Sequence, residues 1–509
     1  MRKSWSIWMI VCLLFAWAQS ADAAQLRFGY PARVPAGRAI PLPIEIVDDA
    51  GQVDRNYWSR TVAWELRQAD SEVVVDSGQV VLTNGRGCGL LPPLAPGAYS
   101  IHLASPDFAE LVNHFEVVPG DYQTVSGVLS GADLHWGADA RWIRVTGEIE
   151  IPAESELVIE PGTFVLMEDA AGWVVRGGVK AMGTPAAPIV VDALEQSMPW
   201  AQIYHMSNSR GAYRNFWIRG GGDVPKIFHA AGSAFYLVNS DIVFDQCVFF
   251  ELAGKGMDGN YARVQVLDTL FQQCASAGEL RRGTCHFRGC HFLDTWPASH
   301  DADYDGLYLV GPAEQRVTSC VFARCSDDGL DTFTSSVLVR DTVFYDIADK
   351  ALSINTGVTL INCLVFRNRL GVVQKGSKGE LPRKNPTLAA MHCTIAGCDI
   401  GYDLRNQNYD GMEIETVEEI INSIIWDCTQ PIVNSYRAQN LYIRNSAFPA
   451  GTYKMTEGPG NIQSDPLLTP DETFRLEPDS PCVGAGLGGQ DMGWLGFGRG
   501  VGDSVWGVY

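Results

Sequence analysis

Nine short segments of the chain repeat one pattern: Cys, Ser or Thr, then any residue, then Phe, Val or Ile. They begin at Cys247, Thr269, Cys290, Cys320, Thr342, Cys363, Cys393, Ser423 and Ser446, at intervals of 22, 21, 30, 22, 21, 30, 30 and 23 residues. A period this regular marks a solenoid, because each repeat must cover the apolar face of its neighbour. The two anchor positions lie two residues apart, so on a strand they point to the same side. Phe249, Phe271, Phe292, Phe322 and Phe344 recur at the second anchor, which makes that side the interior.

The cysteines follow the same ruler. Cys247, Cys290, Cys320, Cys363 and Cys393 fall in one inward column, and Cys274, Cys325, Cys398 and Cys428 in a second, five residues further along their repeats. A free thiol packs as a small hydrophobe, so both columns are expected to stack inside the coil. Cys290/Cys320, Cys363/Cys393 and Cys398/Cys428 are neighbours that could oxidise where geometry permits. No CxxC occurs, so structural zinc has no support.

The flanks read differently. Residues 1–23 have a positive start (Arg2, Lys3), an apolar run over 7–17 and the small-x-small stretch Ala21-Asp22-Ala23, the layout of a cleaved secretory leader. That run is too short to span a bilayer, and no later run is long enough. The expected location is secreted, or periplasmic and cell-envelope. A net charge of −21 argues against nucleic acid or an anionic membrane as a partner of the overall field. Residues 24–120 carry alternating apolar runs at 40–46, 61–66, 72–75 and 99–103, separated by turns such as Asp48-Asp49-Ala50-Gly51 and Asn84-Gly85-Arg86-Gly87. They predict a small immunoglobulin-like β-sandwich. From 121 the chain shows short β-branched strands cut by Pro161-Gly162, Gly177-Gly178 and Gly183-Thr184-Pro185, which predict an all-β coil over 121–448. Residues 449–509 are assigned to a closing rung and C-terminal cap, because a solenoid must end its last exposed rung.

Certain segments resemble a known family. Leu157-Val158-Ile159-Glu160-Pro161-Gly162-Thr163 followed by Val165 resembles the opening rung of bacterial secreted right-handed parallel β-helix proteins. Asp465-Pro466-Leu467-Leu468, Phe474-Arg475-Leu476, Ser480-Pro481-Cys482-Val483-Gly484-Ala485-Gly486 and Asp491-Met492-Gly493 resemble their closing rung. The resemblance covers about 121–495 and implies the pectin-lyase-like superfamily, so that the expected fold is a right-handed parallel β-helix solenoid, preceded by the small β-sandwich read from residues 24–120. That fold hosts lyases, hydrolases, epimerases and adhesins, so it does not fix an activity.

A second register locates candidate chemistry. Asp305-Gly306-Leu307, Asp328-Gly329-Leu330, Lys350-Ala351-Leu352, Leu370-Gly371-Val372 and Ile400-Gly401-Tyr402 fall on successive rungs. Strand alternation then predicts one outward column of Tyr308, Asp331, Ser353, Val373 and Asp403, and another of Val310, Phe333, Asn355, Lys375 and Arg405. Asp305, Asp327, Asp328, Asp349 and Lys350 gather at the corner before them. The longer repeats carry insertions near 296–302, 376–387 and 406–419, the second basic (Lys378, Arg383, Lys384) and the third acidic (Asp410, Glu413, Glu415, Glu418, Glu419); such insertions often rim a binding face.

These residues describe a polysaccharide cleft along 305–405. Tyr308, Phe333 and Trp296 would stack on sugars, with Asn355 and Asp403 as further substrate contacts. Asp328 and Asp331 would act as acid and base, and Lys350, Lys375 or Arg405 would neutralise a uronate or take a proton beside it. Asp305, Asp327 and Asp328 would hold Ca²⁺, a hard cation that needs several oxygens. A simpler account has Asp-Gly pairs turning tight corners, with Gly supplying unusual backbone angles. Residue by residue, Asp305, Asp327-Asp328 and Asp349-Lys350-Ala351 half-match the polygalacturonase-type pattern, in which the His is absent here and only Gln374-Lys375 stands for the last motif. Lys350, Lys375 and Arg405 half-match the alginate or chondroitin lyases of this fold, whose Arg-His-Gly segment is missing. Of the histidines, only His300, beside the acidic corner, suggests a functional role. Two readings remain: a uronate-polysaccharide binder or depolymerase, and a non-catalytic envelope or adhesion protein using the solenoid as a platform.

Overall fold

The computed structural model describes residues 24–71, 73–137, 142–195, 197–222, 232–296, 304–311, 314–333, 336–355, 357–375, 387–405, 417–435 and 440–497. The expected leader, His300 and nearly all of the three insertions lie outside them. No helix among the described residues is long and apolar enough to cross a membrane.

From Tyr122 onward the chain winds as a coil of short strands, each hydrogen-bonded in parallel to its equivalents one rung away. Three faces result. The first stacks Phe164–Met167, Ile189–Ala193, Phe216–Arg219, Val248–Phe250 and their successors to Ile424–Trp426. The second stacks Gly172–Val175, Ile203–His205, Ser233–Val238, Lys255–Asn260, Gly278–Arg281, Leu307–Val310, Leu330–Phe333, Lys350–Ile354, Leu370–Gln374, Ile400–Leu404 and Gln430–Asn434. The third runs from His135–Trp136 to Thr456–Glu457.

The Phe column is the interior of the first face. Phe249, Phe271, Phe292, Phe322 and Phe344 stack in sequence with ring centroids 4.5, 5.5, 4.3 and 4.7 Å apart. Each is at most 2% exposed, worth roughly 1.5–3 kcal/mol of burial per side chain. The cysteines of both columns are free thiols, all buried except the half-buried Cys428. The corners between faces are turned by single residues in the left-handed region. One column holds Gln246, Asp268, Ser319, Asp341 and Asn362, and another Gln273, Asp294, Arg324, Asp346 and Arg367.

The Asp-Gly pairs do a different job from the one the sequence suggests. Gly306 and Gly329 do not have positive φ. A Cβ on Gly329 would instead lie 2.7 Å from the Ala351 carbonyl oxygen, and one on Gly306 2.5 Å from that of Gly329. Glycine is needed there because backbone stacks directly on backbone.

Residues 24–118 form eight strands paired in one continuous, mostly antiparallel sheet that curls over its own core of Leu42, Ile44, Val62, Leu66, Ile101 and Leu103. This sandwich-like domain lies flat on the outside of the coil's first face. Val248, Phe250, Leu270, Leu293, Val321, Val343, Tyr345 and Phe366 join its apolar cluster. Arg55 bridges to Asp268 at 3.1 Å, the Cys88 N–H donates to Gln272 Oε1, and the Tyr345 hydroxyl donates to Asn84 Oδ1. The middle triplet residues Val248, Leu270, Val321, Val343 and Leu364 are thus outward apolar contacts, while His291 and Thr394 at the same position make polar ones.

The C-terminal segment continues this cover. Cys482 and Met492 pack on Ile424 and Ala447. The chain then runs back along the first face, where the Trp494 N–H donates to Thr394 Oγ1 and the Leu495 N–H to Asn362 Oδ1. Phe497 meets Trp58 of the N-terminal domain at 6.2 Å.

Candidate functional site

With the first face covered, the second face and the corner leading into it hold the densest polar chemistry. The register makes both outward columns adjacent as expected. Tyr308 pairs with Asp331, Asp331 with Ser353, Ser353 with Val373 and Val373 with Asp403. Val310 pairs with Phe333, and the N–H groups of Asn355, Lys375 and Arg405 donate to the carbonyls of Thr332, Ile354 and Gln374 on the preceding rungs.

Outward direction is not the same as exposure. Tyr308, Phe333, Lys375 and Arg405 are half-buried, whereas Asp331, Asn355 and Asp403 are buried and Ser353 and Val373 have no exposed surface. The expected open cleft is therefore closed at its middle.

The corner is an ion-pair network. Lys350 Nζ donates to Asp328 Oδ1 at 2.6 Å and also to Asp349, and Arg369 pairs with Asp349 from the other side. Burial pulls the Lys350 ammonium's pKa down, but Asp328 and Asp349 more than offset this and hold it above its ordinary value. Both carboxylates thus favour the charged form of Lys350. Lys375 Nζ lies 4.0 Å from Asp328 Oδ2 and 3.9 Å from Asp331 Oδ2, near both and hydrogen-bonded to neither. Arg405 donates to Asp403.

Asp305, Asp327 and Asp328 each bring a carboxylate oxygen within 4.8 Å of the others. Ca²⁺ takes six to eight oxygen ligands. Here three carboxylates are offered, and the Lys350 ammonium already occupies one of them. The remaining oxygens of a Ca²⁺ site would have to come from bidentate carboxylates, backbone carbonyls or water.

Three expected residues sit elsewhere. Trp296 is not on the 305–405 face: its indole N–H donates to the Leu252 carbonyl at 2.7 Å, rungs earlier. Gln374, the stand-in for a catalytic motif, is fully buried and points into the coil. Glu418, assigned to an acidic loop, is 1% exposed in the interior column between Leu388 and Leu441.

The same face also extends further than the sequence suggested. Tyr204 pairs with Tyr236, Tyr236 with Asp258, Asp258 with Glu279 and Glu279 with Tyr308. The two tyrosine rings are 5.1 Å apart. Lys255 pairs with Glu279, and Arg281 with both Asp258 and Glu279. Lys255-Gly256-Met257-Asp258 repeats the pattern of Asp328-Gly329-Leu330-Asp331 and was the available signal.

Residues 225–385 match the family described as "Right handed beta helix region". No curated protein matches the chain. Among solved structures, pectate lyase Pel9A is similar at 14% identity, covering 67% of this chain and 89% of its own, with a TM-score of 0.33. An alginate lyase from Paenibacillus sp. str. FPU-7 is similar at 12% identity, covering 48% and 89%, with a TM-score of 0.26. The periplasmic alginate epimerase AlgG is similar at 11% identity, covering 62% and 77%, with a TM-score of 0.27. The parallel three-faced coil, which extends beyond the matched residues on both sides, is a β-helix solenoid over its whole described length.

Proposed function

We propose that the second face binds an extended, uronate-containing polysaccharide. Rungs stack roughly 4.8 Å apart, close to one sugar residue of an extended chain, so a glycan lying along the coil axis passes about one rung per residue and meets the half-buried outward side chains, not Ser353 or Val373. Tyr204, Tyr236, Tyr308 and Phe333 offer ring faces for the C–H surfaces of sugars. The observation that carries the uronate assignment is Lys375. Among the described cations of this face, Lys255, Arg281, Lys350, Arg369 and Arg405 are held by carboxylates at hydrogen-bond distance. Lys375 stands 3.9–4.0 Å from its nearest carboxylates and remains able to receive an incoming one.

Binding is proposed ahead of cleavage: Lys350 is paired with Asp328 and Asp349, which leaves Lys375 as the lysine for either role. The protein is titrated calorimetrically with polygalacturonate and with alginate, and the same mixtures are followed by ultraviolet absorbance for unsaturated products and by reducing-end assay. Saturable binding to a polyuronate, weakened about tenfold by Lys375→Ala, is expected. Equal binding by Lys375→Ala, or none by either protein, overturns the assignment.

A further inference from the structure

A separate groove of about 360 Å³ opens on the corner between the first and second faces, several rungs before the acidic corner. It falls in the range of small-molecule sites, about 300–1,000 Å³. Its lining includes Trp296, Arg219, Asp192, Glu251, Gly220 and Pro199.

Each polar member is fixed. Trp296 leaves the coil after His291–Leu293, with its backbone N–H on the Cys274 carbonyl and its indole N–H on that of Leu252. The ring is clamped yet 40% exposed, the arrangement of an aromatic with one end bound and a face left for a ligand. Arg219, 6% exposed, forms the floor. Its Nε donates to Glu251 Oε2 at 2.8 Å, its Nη1 lies 3.5 Å from Asp192 Oδ2, and Nη1 also donates to the Ala39 carbonyl of the N-terminal domain. Nε and Nη1 are thus engaged, and Glu251 and Asp192 are the acceptors that line the groove.

We infer that this groove is a second carbohydrate subsite, specific for a neutral pyranose unit: Trp296 stacks on the C–H face of the ring, and Glu251 and Asp192 accept its hydroxyl hydrogens. A uronate is disfavoured here, because two carboxylates line the groove and Arg219 is paired with both of them. Burial raises the Asp192 carboxyl to about 6, against the opposing pull of Arg219 and Arg38, so it changes charge near neutrality and its acceptor strength falls in mild acid. The site is independent of the uronate reading of the second face, since no residue is shared.

The test uses saturation-transfer NMR and calorimetry on the full chain with β-1,4-linked gluco-, manno- and xylo-hexaoses. At least one is expected to bind, with affinity reduced tenfold or more by Trp296→Ala and several-fold by Glu251→Gln, and changed less than twofold by Lys375→Ala. Polygalacturonate binding should show the reverse pattern. Absence of saturation transfer from all three oligosaccharides, or binding that Trp296→Ala leaves unchanged, overturns the subsite. Circular dichroism of the Trp296→Ala protein, with its surface-located change, separates lost binding from lost fold.

Discussion

Lys350 and Asp328 close a 2.6 Å ion pair across adjacent rungs, with side chains only 10% and 4% exposed. That pair places a buried cation on one carboxylate of the Asp305, Asp327 and Asp328 cluster. Breaking a buried pair leaves one charge unpaired, at about 3–5 kcal/mol. Lys350→Met is expected at the low end, ~3 kcal/mol, because Lys375 at 4.0 Å can close on the vacated carboxylate. Adding Asp328→Asn should recover most of the loss. Urea midpoints of the three proteins check this, and an unchanged Lys350→Met midpoint would contradict it. Lys350→Ala should also make the corner responsive to Ca²⁺, seen as a melting temperature that rises with added Ca²⁺ only in that variant.

Mild acid should weaken the coil through its buried histidines. His205, hydrogen-bonded to Tyr213 and Ser209, is pulled by burial down to about 3. Burial likewise lowers His291 and His392. In the unfolded chain each takes a proton near pH 6.5, and in the folded chain His205 does not until about pH 3. The stabilisation is therefore complete above about pH 6.5 and declines as pH falls toward 3, by ~2 kcal/mol from His205 alone between pH 6.5 and 5. Urea midpoints at pH 7.5 and 5.0 measure it, and His205→Gln should flatten the slope.

Glu418 has the opposite sign. Neither carboxylate oxygen has a hydrogen-bond partner, and burial raises its pKa well above the ordinary value. The folded chain keeps the proton that the unfolded chain releases near pH 4.5, so the penalty grows as pH rises above that point. Glu418→Leu continues the column of Leu388 and Leu441 and is expected to stabilise the protein by roughly 1–3 kcal/mol at pH 8, with a smaller gain at pH 4. A lower melting temperature for Glu418→Leu at pH 8 would refute this.

The N-terminal domain is expected to be indispensable. Removing 24–120 uncovers Phe250, Leu293, Val321, Tyr345 and Phe366, all at most 4% exposed in the intact chain. An apolar strip of that length is an aggregation surface. The remaining coil should bind a hydrophobic dye strongly and elute as aggregates, whereas a soluble, dye-silent coil would show that the domain is only tethered.

How much of this was legible follows from what each signal encodes. The Phe and Cys columns were readable because interior stacking forces a strict period. The outward register over 308–405 followed, since strand alternation leaves no choice once the inside is known. The covered first face was signalled but missed: Val248, Leu270, Val321, Val343, Leu364 and Ile424 occupy the middle triplet position, and consecutive apolar residues mark a strand buried on both sides. Depth was not encoded at all. Asp331, Ser353 and Val373 point outward and are nonetheless buried, and Trp296 reaches back across rungs to Leu252 by a path that local sequence does not specify.

A polyuronate lying along the second face would shield its outward rings from solvent. Hydroxyl-radical footprinting with mass spectrometry, with and without saturating polygalacturonate, tests it most directly. Protection of Tyr204, Tyr236, Tyr308 and Phe333 is expected, with Tyr261, 54% exposed at a different corner of the coil, unprotected. Unchanged labelling of those four rings under saturating glycan, or protection confined to Tyr261, would contradict the account.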